Sequence, residues 1–76
     1  MDKLREILED LKPGVDFSAE DDLVEDGILT SLEIMTLVVE ICSEFGIEVS
    51  PLDIIPENFQ SIHTIYALIT RIRDED

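Results

Sequence analysis

The chain has 76 residues, with 19 acidic side chains against 5 basic ones and a formal net charge of -14. That length predicts a single domain, residues 1–76, with a radius near ~11 Å and no room for a cleft between two domains. The charge repels nucleic acid and an anionic lipid surface, so the expected partners are basic proteins or cations.

At 45% apolar residues the chain can still build a core and is not a disordered acidic tail. One cysteine, Cys42, forms no internal disulfide, which fits a reducing cytoplasm. Met1 to Lys12 mixes charges with leucines, so no signal peptide is expected, and no apolar run is long enough to span a bilayer. Between Pro13 and Thr70 there are twelve acids and no Lys or Arg. The middle of the chain is therefore its acidic part.

Leu4, Ile7, Leu8 and Leu11 recur at three and four residues, the period of an amphipathic helix, and Pro13-Gly14 ends it. From Gly14 to Leu29 no period is sustained. Val15, Phe17, Leu23, Ile28 and Leu29 read as anchors that tack a long loop to the core, and loops of that length usually serve function. Thr30 with Glu33 three residues later is a capping box before a second helix, which runs to Phe45 and stops at Gly46.

On that helix Ile34, Leu37, Val38, Ile41 and Phe45 form one stripe, and Leu32, Met35 and Val39 widen it to about twice the ~100° a surface helix needs. Either the helix is surrounded or part of its apolar surface awaits a partner. Ile47-Glu48-Val49 alternates, but a lone extended piece predicts no sheet. Ser50-Pro51 and Pro56-Glu57 each start a short helical turn. Ser61 caps a last helix carrying Ile62, Ile65, Ile69 and Ile72. The expected fold is all-α, a bundle of three main helices and a short one.

Chemistry has few places to sit. His63, the only histidine, reads as a partly exposed surface residue, and Cys42 as a small buried hydrophobe. No metal site is expected. A calcium loop counted from Asp22 places Asp26, Gly27, Leu29 and Glu33 at positions five, six, eight and twelve, but Val24 at position three has no oxygen to give. A diffuse attraction of divalent ions to Asp21, Asp22, Glu25 and Asp26 is the stronger expectation. Ser31, beside a helix start, reads on its own as a capping residue. Its position also matches the N–H-rich helix end that favours a phosphate.

Asp26-Gly27-Ile28-Leu29-Thr30-Ser31-Leu32-Glu33, then Glu44-Phe45-Gly46, Ile47-Glu48-Val49 and Pro56-Glu57-Asn58-Phe59, resemble an acyl carrier protein over nearly the whole chain. The resemblance implies a non-enzymatic carrier with 4'-phosphopantetheine, from coenzyme A, attached to Ser31 between Thr30 and Leu32. The arm's thiol would hold an acyl or aminoacyl group as a thioester. It further implies docking through Glu33, Met35, Thr36 and Val39. The implied partners are a phosphopantetheinyl transferase, a loading ligase and downstream acyl-transfer enzymes, met by a monomer.

Thr30 replaces the aspartate of the family motif, and Thr36, Cys42 and Ser43 stand where fatty-acid carriers often place acids. The chain looks closer to stand-alone carriers served by a dedicated ligase, D-alanyl carriers included. The rival readings are an interaction module that docks through its second helix without an arm, and the calcium-binding protein described above.

Overall fold

The structure, a computed structural model, describes residues 2–75. Three helices, α1 (Asp2–Leu11), α2 (Ser31–Phe45) and α3 (Ile62–Glu75), alternate with two long connections. The second connection contains two short 3-10 turns, Pro51–Asp53 and Pro56–Phe59. The sequence pointed to both turns, but the expected total of one short helix is corrected to two short turns. Each begins at a proline, whose fixed φ suits a first helical position. No strand is present among the described residues, and Ile47-Glu48-Val49 runs irregularly.

Each helix brings one apolar stripe to a common core. Leu4, Ile7 and Leu8 come from α1, Leu37, Val38 and Ile41 from α2, and Ile62, Ile65, Leu68, Ile69 and Ile72 from α3. Phe17, Leu23 and Leu29 fill the same core from the first connection, and Ile47 and Phe59 from the second. The radius of gyration is 11.3 Å. No helix among the described residues is long and apolar enough to cross a membrane.

Two contacts fix α1 antiparallel to α2. Lys3, at the start of α1, donates to the Glu44 carbonyl at 3.3 Å and lies 5.9 Å from the Phe45 ring centroid. Lys12, just past the end of α1, pairs with Glu33 in the first turn of α2 at 2.7 Å. The α1 stripe thus meets the α2 stripe along its length. Gly46 ends α2 at φ 65°, the left-handed conformation that glycine adopts without a Cβ penalty.

Ser61 and Thr64 start α3 with a reciprocal pair. The Thr64 amide donates to Ser61 Oγ at 3.2 Å, and the Ser61 amide to Thr64 Oγ1 at 3.1 Å. His63 is exposed, as expected. Cys42 is only half-buried and lines a shallow surface groove with Glu48, Val49, Ser50 and Pro51, which corrects its expected burial. On α2 it falls at the edge of the buried arc rather than at its centre.

Candidate functional site

The first turn of α2 is assembled by the connection before it. The Asp26 amide donates to the Asp22 carbonyl at 2.8 Å, and Gly27 turns the chain at φ 74°. The Leu23 amide then donates to the Gln60 carbonyl at 2.8 Å, and the Leu29 amide to the Leu23 carbonyl at 2.9 Å. With Leu23 and Leu29 both buried, these bonds fix the residue that precedes Thr30. The anchors therefore aim the start of α2.

Thr30 is the cap. Its Oγ1 accepts from the Glu33 amide at 3.3 Å, and the Glu33 Oε1 accepts from the Thr30 amide at 3.0 Å, closing the capping box. Ser31 is the first helical residue, exposed, and its hydroxyl has no hydrogen-bond partner among the described residues. The capping role that a serine here would ordinarily fill is already taken by Thr30. The amides of Ser31 and Leu32 also have no acceptor among the described residues, so two N–H groups stay open beside that hydroxyl.

Glu33 is held on both sides. Besides the Thr30 amide it meets Lys12 Nζ at 2.7 Å through Oε2. These contacts, the Lys12 one first, hold its carboxyl below the usual carboxylate range. Of the residues expected to dock partners, Glu33 thus has its carboxylate engaged within the molecule. Thr36 Oγ1 donates to the Leu32 carbonyl at 3.1 Å, a bond within the helix that leaves the side chain exposed. Leu32, Met35 and Val39 stand out from α2 at 81%, 50% and 65% exposure. Of the two explanations for the wide apolar arc, the structure excludes the first: α2 is buried on one side only.

An apolar groove of about 230 Å³ opens beside Ser31, lined also by Val24, Ile34, Met35, Ile54, Ile55, Pro56 and Phe59. Sequence reasoning did not assemble this set, because its members come from three separate stretches of chain. The Pro-Glu-Asn-Phe segment was the one signal pointing to it. A larger space of about 400 Å³ lies between α1 and α2 among Lys3, Glu6, Asp10, Thr36, Glu40 and Glu44, and does not include Ser31. Among the described residues no three His, Cys, Asp or Glu side chains converge as a metal site would require. The Glu33 that would close a calcium loop is spent on Thr30 and Lys12.

The arrangement offers a free hydroxyl on a rigid helix end, two unpaired amides for an anion, and an apolar trough alongside. A sequence model of the family described as phosphopantetheine attachment site matches residues 2–72. No curated protein and no solved structure matches the chain.

Proposed function

The chain belongs to the phosphopantetheine attachment site family, and on that premise we propose that it is an acyl carrier protein in which Ser31 holds the prosthetic group. The family carries 4'-phosphopantetheine covalently. The observation that carries the assignment to Ser31 is its idle hydroxyl: Thr30 does the capping, so Ser31 has no structural duty at the helix end. Ser31 Oγ would displace the adenosine bisphosphate from coenzyme A, gaining an O–P bond and losing its proton.

The residues present fit that group. The open amides of Ser31 and Leu32 and the positive end of the α2 dipole suit a phosphodiester. Thr30 and Glu33 keep the turn formed, and the buried Leu29 holds it against the core. When bound, the arm supplies a thiol that carries an acyl or aminoacyl group as a thioester. The groove of about 230 Å³ lies below the ~300 Å³ at which pockets begin to enclose drug-sized ligands. It suits a short acyl or aminoacyl group.

Partner enzymes would meet Ser31 and Leu32 at the helix end and Met35, Thr36 and Val39 along α2. The partners are a phosphopantetheinyl transferase, a loading ligase and downstream acyl-transfer enzymes, meeting a single-domain, cytoplasmic monomer. The uncompensated acids speed the approach of basic partners, and the apolar side chains provide contact area. A second reading, an armless docking module, is favoured by the exposure of Leu32, Met35 and Val39.

Incubation with coenzyme A and a phosphopantetheinyl transferase, followed by intact-mass measurement, decides between them. A mass gain on the wild type and none on Ser31→Ala is the expected result. No gain on the wild type with several transferases leaves the docking module, and an equal gain on Ser31→Ala overturns Ser31 as the attachment point.

A further inference from the structure

Attachment at Ser31 would place a phosphodiester anion on the residue that follows Thr30, and the Glu33 carboxylate reaches back to the Thr30 amide, so both anions sit in the first turn of α2. Like charges within a Debye length of each other repel unless a cation is shared or solvent screens them. Glu33 is not free to turn away, because its Oε1 accepts the Thr30 amide at 3.0 Å. Its other oxygen lies 2.7 Å from Lys12 Nζ.

Lys12 is itself well placed. Its amide donates to the Leu8 carbonyl at 2.8 Å, extending the last turn of α1, and its side chain is only 34% exposed. The sequence has no other Lys or Arg until Arg71. The remaining described ion pairs lie elsewhere: Lys3–Glu44 at the far end of α2, at 3.9 Å, and Arg71–Asp53 between α3 and the first 3-10 turn, at 3.0 Å. Lys12 is the shortest-paired cation of the three and the one that serves the first turn of α2.

We propose that Lys12 is a positioning residue for the Ser31 attachment site: it balances the Glu33 charge and holds Glu33 in the capping box, so that the first turn of α2 stays intact beneath an anionic phosphodiester. The proposal rests on the assignment of Ser31 as the attachment point. Removing Lys12 leaves one uncompensated anion in this turn of the unloaded chain and two in the loaded chain. Lys12 therefore matters more after loading than before.

The test compares thermal melting of unloaded and loaded protein at low salt, with loading verified by intact mass. The wild type, Lys12→Met, Lys12→Arg, Glu33→Gln and the double variant Lys12→Met/Glu33→Gln are used. Glutamine retains an oxygen to accept the Thr30 amide. Lys12→Met is expected to lower the melting temperature of the loaded form several degrees more than that of the unloaded form. That extra loss is expected to vanish in the double variant and in Lys12→Arg, and at about 1 M salt, where the Debye length is about 3 Å.

Equal losses in both forms, with no recovery in the double variant, would make Lys12 a simple tie between α1 and α2 and overturn the proposal, leaving Ser31 as the attachment point. Absence of any mass gain on the wild type overturns the Ser31 assignment and the proposal together.

Discussion

The two connections of this molecule invert the usual link between regular backbone and burial. The first, between α1 and α2, has no regular helix, yet its Phe17, Leu23 and Leu29 are 3%, 0% and 2% exposed. The second, between α2 and α3, is organised into two 3-10 turns, yet leaves Leu52 at 87% and Ile55 at 42% exposure. Its turns are secured by polar contacts: Ser50 Oγ accepts from the Leu52 amide at 3.2 Å, Asn58 donates to the Asp53 carbonyl at 2.8 Å, and Arg71 pairs with Asp53. An irregular segment here does the work of a core element, while an ordered one, although it buries Ile47 and Phe59, turns Leu52 and Ile55 outward, Ile55 at the Ser31 groove. The first connection serves the shape of the site and the second serves its surface.

The sharpest way to break this comparison is Leu23→Ala. Truncating a fully buried leucine costs about 2–5 kcal/mol, a large share of the stability available to a domain of this size. Melting followed by circular dichroism should fall by more than about 10 °C. Loading at Ser31 should fail at temperatures where the variant unfolds and recover on cooling. A shift of only one or two degrees would mean that the first connection is an appendage and that α2 is aimed by other contacts.

The legibility of the two connections differed for physical reasons. A capping box, a left-handed glycine and a 3.6-residue period are local, so Thr30, Gly46 and the stripes of all three helices could be read from the sequence. Phe17, Leu23 and Leu29 could be read as anchors because apolar side chains in an acidic stretch have few other uses. The outward aim of Leu52 could not, since a 3-10 turn of three residues has no period to show a face. The Lys12–Glu33 pair escaped because its members are distant in sequence and no helical spacing relates them. Cys42 was misplaced because a residue at the edge of a wide apolar arc gives the same pattern whether or not another helix covers it.

A smaller effect sharpens the first half of the comparison at the point where that connection delivers α2. The Glu33 carboxyl is held below the ordinary carboxylate range, by Lys12 first and the Thr30 amide next. A depressed folded-state pKa contributes stability that is complete above the unfolded value and is lost as pH falls through the folded value. The melting difference between wild type and Glu33→Gln should therefore be largest at neutral pH. It should shrink as pH drops below about 4.3, the unperturbed glutamate value. A difference independent of pH down to strong acid would show that the charge of Glu33 is not what holds the turn.

The smallest effect on stability is expected at Leu52, and it tests the second half. A substitution at a side chain this exposed and free of polar contacts usually changes stability by no more than about 0.5 kcal/mol, so Leu52→Ser should melt within about 4 °C of the wild type. If the second connection exists to present apolar surface, the same change should weaken a partner enzyme's use of the loaded carrier by raising its KM while leaving kcat unchanged. That split is the mark of binding energy shared by ground state and transition state. Met35→Ser, in the lining of the groove, should act in the same direction, and a double variant more than additive or less than additive would show whether one partner surface spans both. An unchanged KM for both variants would confine docking to Ser31, Leu32, Thr36, Val39 and the acidic surround, and leave the outward aim of Leu52 without a functional reason.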